Sequence, residues 1–541
     1  MGFETISAPE TNESSIALGP LGGGSRASRP VTQLGIFAGA SIPQVLSSFA
    51  FMLGVCLVGR VYYALRSFDV DPDLWWHIKI GQSILATHRW PIADPYSFTA
   101  AGQHWRAYEW LGDIIFAAVY RVGGLRGLGA LLIVLGSLFA LALYYYTTIR
   151  CNNPKAGFLA TAVLINLVNV FNLRPQMLAY LYLVLTLIVL ERFRQGKRGE
   201  IWLLPLLMVV WINTHGLWII GLGTIGAYLA SGLVTLRVGG LETQRWNAPD
   251  RRQLSLVFLL SVTAIFITPY GAGLATLPFQ MNSSPVGLAN VQEWQPMVFN
   301  LPGDKLFVYL LLGFLLVQVL ARLKWRLEEL GLFLFGTMMA FLHLRFLSLF
   351  AVFFAPVFAV ILARWLPRYD RAKEIYALNA AVILSLLGAM VWYFPSQSDY
   401  SNIVDRNLPV AAVRYLDTHT VPVPMYNRYE FGGYLLWARG PEHKVFIDGR
   451  GELYEPVGIL SDYIRLANFN PGSLEVLQKY NIQSCLLSPG DALSTVLTAL
   501  PDWKKVFSDD HSVLFVRRQG DAKQRPEVPT AQNDPVAGGG I

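Results

Sequence analysis

Asp71, Pro72, Asp73 and His77 stand together in the segment DPDLWWH. Asp is a good helix N-cap and Pro is favoured at the first helical position, so Asp71 is expected to cap a helix running to about Thr87. Asp73 and His77 are four residues apart and would share one face of that helix. A carboxylate and an imidazole so placed can act as a base and its partner, or as two ligands of a divalent metal. His104 and Glu109 follow in GQHWRAYEW, where Glu109 has a plain reading as an ion pair with Arg106. Arg174 and Gln176 lie in NLRPQ, Asn213 and His215 in NTHG, Glu293 and Trp294 in QEWQP, and Arg345 in HLRF. A single arginine beside an apolar run can snorkel to lipid headgroups, or its planar fork can hold a phosphate.

What must position these groups is a set of apolar helices. The chain has 541 residues, 53% hydrophobic and only 15% charged, with mean hydropathy +0.41. Soluble domains carry roughly 25% charged residues, so this is a polytopic membrane protein. Apolar runs fall near 44–65, 127–148, 156–172, 177–193, 201–214, 216–236, 254–270, 305–322, 330–344, 346–363 and 375–394. They predict about 11 transmembrane helices. The stretch 110–122 between the first two runs reads as a short span or as an amphipathic helix at the membrane surface. Three cysteines, Cys56, Cys151 and Cys485, lie far apart and suggest neither a disulfide framework nor a zinc site.

The net charge of +7 is concentrated in short loops. Arg150 and Lys155 share one, Arg192, Arg194, Lys197 and Arg198 a second, and Arg237, Arg245, Arg251 and Arg252 a third. Arg322, Lys324 and Arg326 form a fourth, and Arg364, Arg368, Arg371 and Lys373 a fifth. With a cytoplasmic N-terminus all five fall inside, as the positive-inside rule requires, so this charge is a topology signal and argues for no nucleic-acid partner. The same frame puts the first loop, 66–126, and every polar motif above on the outer face. Charged groups at membrane depth are costly unless they line a cavity or pair, and so many on one side predict a polar cavity there.

Residues 1–34 and 519–541 are rich in small and polar residues and are expected to be disordered tails, the first cytoplasmic. No signal-peptide pattern precedes the first run, which is expected to remain as a signal anchor. The transmembrane domain spans 35–394. From 395 to 518 the pattern becomes soluble, with helices near 410–419, 434–438, 474–480 and 492–500. Strands are expected at 422–427, 444–447 and 483–487, and a hairpin over 504–516. This predicts a small extracytoplasmic α/β domain. Its motif FIDGRGELY holds Asp448, Arg450 and Glu452, which fit either acceptor binding or a tight turn with a structural ion pair.

Taken together, these motifs resemble the GT-C superfamily of integral-membrane glycosyltransferases, in particular the dolichyl-phosphate-mannose protein mannosyltransferase and aminoarabinose transferase group. Asp71 and Asp73 match the acids after the first span, and Glu109 in YEWLGDIIFAAVYRVGG matches the later acid-bearing segment. Trp110-Leu111 stands where that group usually has Pro-Pro. The chain also resembles a set of bacterial membrane proteins carrying DPDLWWH, NLRPQ, WxNxHG, PYG and EWQP. The resemblance implies a GT-C-like fold over about 45–520 and transfer of a sugar from a polyprenyl phosphate to an extracytoplasmic glycan, lipid or protein. It implies Asp73, Glu109 and His77 as catalytic residues. Asp71, His104, Arg174, Gln176, Asn213, His215, Glu293, Trp294 and Arg345 would bind substrate, with a divalent metal, if one is used, near Asp73 and His77. Two other classes fit the sequence: a transporter or flippase of a lipid-linked substrate, and a noncatalytic assembly protein that keeps the fold.

Overall fold

The computed structural model describes residues 41–67, 71–169, 171–282, 286, 289, 292–321 and 323–518. The expected tails and Arg322 lie outside the described residues. The chain divides into two compact units, Met1–Leu46 and Ser47–Ile541. Of the first, one short helix, Ile42–Leu46, is described.

All eleven apolar runs are helical. Four helices, Trp110–Cys151, Pro175–Arg194, Pro302–Ala321 and Leu344–Trp365, are long and apolar enough to cross a membrane. A fifth crossing results if the bent pair Tyr376–Trp392 and Gln397–Asn407 counts as one. The other runs fold as shorter helices, such as Leu203–Ile212 and Trp218–Ser231. At about 1.5 Å per residue these fall short of the roughly 30 Å apolar core of a bilayer. By length alone, then, the structure supports four or five full crossings among the described residues.

Local chemistry explains where the helices start. Ser48 Oγ accepts the Phe51 N–H at 3.1 Å and opens Phe49–Leu65. Asn153 and Asn247 cap Pro154–Leu164 and Ala248–Ala264 in the same way, each followed by a proline in the first turn. Pro175 opens Pro175–Arg194 directly after Arg174, whose backbone is extended. The uncertain segment 110–122 proves to be the first limb of Trp110–Cys151. That helix breaks at Gly124, whose φ of 56° and ψ of −147° suit only glycine. Beyond the break, the Arg126 N–H bonds Gln397 Oε1 at 3.0 Å.

The basic loops are not merely solvated. Arg150 pairs with Glu329 at 2.5 Å and Arg326 with Glu191 at 2.6 Å, while Arg194 pairs with Glu328, Arg198 with Asp250 and Arg192 with Glu200. The acids come from neighbouring helices, so these pairs tie the helix ends together at the end of the bundle opposite the polar motifs.

The C-terminal segment is an α/β unit built on a four-stranded sheet. Its strands are β3 (Met425–Asn427), β4 (Ser484–Leu487), β5 (Trp503–Ser508) and β6 (Val513–Arg517), in the order β3-β4-β6-β5, after a separate hairpin, β1 (Leu236–Val238) and β2 (Leu241–Thr243). β3 runs parallel to β4, and β4–β6 and β5–β6 are antiparallel. Three helices, Gln397–Asn407, Gly451–Tyr454 and Ile459–Ala467, add to those expected. Residues 444–447 are not a strand of this sheet. Val445 instead bridges Ser97 of the loop between the first two apolar runs, with its N–H on Tyr96 O at 3.0 Å and its carbonyl accepting from Phe98 N at 3.1 Å. Cys485 is fully buried in β4.

The same contact explains FIDGRGELY. Arg450 is wholly buried, with Nη2 2.6 Å from Asp448 Oδ2 and Nη1 2.8 Å from Asp94 Oδ1. The Tyr454 hydroxyl donates to Asp448 Oδ2 at 2.7 Å. Asp94 lies in the loop ADPYSF, so this ion triad fastens that loop to the C-terminal unit. The structural reading of Asp448 and Arg450 is the one the geometry takes.

Candidate functional site

Two linked charge clusters occupy the polar end of the bundle, where the C-terminal unit meets it. The first is built on DPD. Asp71 Oδ1 accepts the Asp73 N–H at 2.9 Å, an Asx turn that starts the helix Leu74–Thr87. Asp71 therefore turns the chain as expected, but Asp73 occupies the cap position and its carboxylate is not spent on the helix. Asp71 Oδ2 accepts from Asn172 Nδ2 at 2.9 Å and lies 2.6 Å from Arg174 Nε. Arg174 Nη2 lies 2.9 Å from Asp73 Oδ2, and Nη1 lies 3.6 Å from Glu293 Oε2. Arg345 ends this chain of ion pairs at 3.2 Å from Glu293 Oε1, with its guanidinium 4.1 Å from the centre of the Trp294 ring. Three carboxylates thus meet two guanidinium groups. Arg174, Asp73 and Glu293 keep 26%, 17% and 35% of their side chains accessible, so this cluster has an open side.

The second cluster lies deeper. Glu109 Oε1 is 3.3 Å from His215 Nε2, and Oε2 is 3.7 Å from His77 Nε2. His77 Nδ1 is 2.6 Å from Asp113 Oδ1. His215 Nδ1 accepts the Leu217 N–H at 3.1 Å, so its proton sits on Nε2, facing Glu109.

Burial and neighbouring charge set different protonation in the two clusters. Asp73 is pushed up to about 7, chiefly by burial, which Arg174 partly offsets. Burial also holds the Glu109 carboxyl well above its ordinary range, with Glu452 and Asp73 adding to it. His77 is held well below its ordinary value by burial and then by Arg174, and His215 is lowered to about 3 by burial and then by Arg345. In the deep cluster burial thus disfavours the charged forms of Glu109 and of both imidazoles. Asp73 is a carboxylate poised near the ambient pH. Environments that separate two acids in this way are how one site obtains both an acid and a base.

The C-terminal unit forms the roof. A β-carbon on Gly449 would lie 1.8 Å from Asp73 Oδ1, and one on Gly433 would lie 2.5 Å from Pro72 O. Glu452 accepts from Trp105 Nε1 at 3.0 Å and acts on Glu109 through its charge.

The structure therefore brings together Asp71, Asp73, Arg174, Glu293, Trp294 and Arg345 in one cluster and His77, Glu109 and His215 in the other. Gln176 is buried in the first turn after Arg174, and its Nε2 has no hydrogen-bond partner among the described residues. Three expectations are corrected. His104 is exposed on a loop bridged to Ala93 and joins neither cluster. Asn213 is a structural tie: Oδ1 accepts from Trp110 Nε1 at 2.8 Å, and Nδ2 donates to the carbonyls of Val209 and Ile267 at 2.8 and 2.9 Å. Arg106 bonds Gly273 O at 3.3 Å and leaves Glu109 to the histidines.

Asp73 and His77 also take different partners, so they are not a ligand pair. Among the described residues no three His, Cys, Asp or Glu side chains are grouped to hold a metal ion. Arg174 is the cation facing Asp71, Asp73 and Glu293, and this set does not fit a divalent ion. Asp113, the partner of His77, was not singled out from sequence. Asp113 was within reach of such a reading, since it lies four residues after Glu109 and on the same helical face.

No protein-family description and no curated protein matches this chain. Solved structures do resemble it. One is the Archaeoglobus fulgidus oligosaccharyltransferase tethered to an acceptor peptide, at 12% identity and TM-score 0.48, covering 82% of this chain and 70% of that one. The same archaeal enzyme in complex with an inhibitory peptide and a dolichol-phosphate gives 11% identity and TM-score 0.44, covering 80% and 69%. ArnT from Cupriavidus metallidurans bound to undecaprenyl phosphate gives 15% identity and TM-score 0.48, covering 86% of this chain and 97% of that one.

Proposed function

We propose that this chain is a membrane glycosyltransferase that moves a sugar from a polyprenyl-phosphate donor to an acceptor on the extracytoplasmic side. The observation that carries the reading is the Asp73–Arg174–Glu293–Arg345 chain of ion pairs, which sets a partly accessible carboxylate of pKa about 7 among guanidinium groups. In this reading the polar end and the C-terminal unit face outward and the ion-paired basic loops face the cytoplasm.

The acceptor hydroxyl oxygen attacks the anomeric carbon. The bond from that carbon to the phosphate oxygen breaks, and the lipid phosphate leaves with the electron pair. Asp73 takes the acceptor proton, as a base with a pKa near ambient pH can. Once Asp73 has taken the acceptor proton, two carboxylates face two guanidinium groups, so the cluster carries no excess negative charge, and Arg174 and Arg345 offer charge-assisted donors to the phosphate as negative charge develops on it. Glu109, between His77 and His215, is the acid of the second cluster.

Transfer of label from polyprenyl-phosphate sugars by protein in nanodiscs tests this, with Asp73→Asn as the control. Donor-dependent product that disappears in the variant supports the reading, and no product from any donor sinks it. One observation favours a noncatalytic assembly role: Arg174 already answers both Asp71 and Asp73, and Trp110, in place of the usual proline, is bound to Asn213. Nothing comparable favours a transporter.

A further inference from the structure

A cleft whose lining includes no residue of either charge cluster opens in the C-terminal unit, with a volume of about 300 Å³. It is lined by Tyr426, Arg428, Glu430, Tyr463, Asn468 and Asp491 among others. Its floor is the carboxyl end of the parallel pair β3 and β4. Tyr426 is in β3, Arg428 follows that strand and Asp491 follows β4. Crevices at the carboxyl ends of neighbouring parallel strands are where open α/β sheets place ligands. Its volume is at the lower end of ligand clefts, about 300 to 1,000 Å³.

The lining selects the ligand class. Arg428 is the cation of the cleft, and two carboxylates already answer it: Nε lies 2.7 Å from Glu430 Oε2, and Nη1 lies 3.1 Å from Asp491 Oδ1. Two negative groups against one positive leave the cleft acidic, which disfavours phosphate and carboxylate ligands. The rest of the wall is mixed: Ile464, Ala467, Leu487 and Leu493 set aliphatic surface beside the charged, amide and aromatic groups. A neutral polyhydroxylated molecule fits: carboxylates accept from its hydroxyls, guanidinium and amide groups donate to them, and a flat ring packs against its C–H face. Tyr463 supplies the ring. It stacks on Tyr426 at 6.0 Å and 22°, and its hydroxyl accepts the Tyr429 N–H at 3.0 Å.

Tyr429 also links the cleft to Asp73. Its backbone bonds Tyr463 on the cleft side. Its phenol is held well above the ordinary range by burial and then by the charge of Asp73.

We infer that this cleft is a saccharide subsite, and that the acceptor of the transfer is a glycan seated between Tyr463 and the Arg428–Glu430–Asp491 group. This rests on the transfer reading above, and the experiment separates the two. Full-length protein in nanodiscs is presented to an array of neutral, amino-bearing and acidic di- to tetrasaccharides. Saturation-transfer NMR then measures affinity for the best-retained member. Neutral or amino sugars should bind, and Tyr463→Ala and Asp491→Asn should each weaken binding by about tenfold or more, the loss of one or two hydrogen bonds to charged groups. Asp491 also accepts the Ser488 N–H at 2.9 Å, so Glu430→Gln, on an exposed side chain, serves if that variant fails to fold. Asp73→Asn should bind as the parent does. Retention of no saccharide, preference for acidic ones, or binding indifferent to the cleft variants overturns the subsite. Binding that depends on the cleft, with no transfer from any donor, overturns the transferase reading and leaves the subsite standing.

Discussion

Gly449 of the C-terminal unit sits so close to Asp73 that a β-carbon there would lie 1.8 Å from Oδ1. The backbone at Gly449 is not in the left-handed region, so alanine is conformationally allowed and the constraint is one of space. Gly449→Ala must therefore displace the Asp73 carboxylate or lift the roof. Overpacking of this kind costs about 1–3 kcal/mol, which the fold can absorb. Misplacing a reacting group by about 1 Å can cost about 10²-fold in rate. The variant should insert and melt close to the parent while losing about that much transfer. Undiminished transfer would show that Asp73 is not where the chemistry happens.

Asp73 also sets the pH dependence. Its carboxyl is raised to about 7, so the fraction present as base grows as pH rises towards and through that value. Transfer should climb with pH and level off above about 7, and Asp73→Asn should lie about 10²–10⁴ lower with the rise abolished. A rate flat across neutrality in the parent would point to another base. Asp71→Asn keeps the acceptor for the Asp73 N–H but loses the charge that Arg174 faces at 2.6 Å. A smaller drop, about tenfold, is expected there.

The buried triad offers a stability test. Arg450 is fully enclosed with Asp448 and Asp94, and removing it leaves two buried carboxylates without their cation. Breaking a buried pair from one side costs about 3–5 kcal/mol. Arg450→Met should lower the melting temperature of the C-terminal unit and expose the loop at Asp94 to limited proteolysis. Arg428→Met, in a half-exposed pair, should do neither.

Much of this architecture could be read from the sequence, because it follows from local rules. Each apolar run became a helix, and the Pro, Asn and Ser residues at their starts mark the beginnings. The charge clusters were legible as a list of residues but not as a pattern of contacts. Asp73 and His77 looked like partners from their spacing. Asp73 instead falls at the cap position, where its side chain leaves the helical face and takes Arg174, while His77 turns to Asp113. Arg174, Glu293 and Arg345 come from three separate loops, and no local rule predicts that they meet. Residues 444–447 carried a strand's composition, but their partner proved to be residues 96–98, far away in the chain. Nor could Asp94 be foreseen as the second acid of Arg450.

Membrane orientation is the remaining prediction, and the structure sharpens how to test it. The basic loops predict that residues 192–200 face the cytoplasm and the C-terminal unit the outside. Gly196 is a poor labelling position because its φ of +90° strains any other residue. Lys197 is exposed and ordinary in backbone, and so is the better choice. Gly451 lies near the site, whereas Val457 is 43% exposed on the C-terminal unit. In a background with Cys56, Cys151 and Cys485 replaced by serine or alanine, an impermeant maleimide added to whole cells should label Val457→Cys. It should reach Lys197→Cys only after permeabilisation. The reverse pattern would put Asp73 and the two arginines on the cytoplasmic side, where a donor with its sugar facing outward could not reach them, and the transfer reading would fall with the topology.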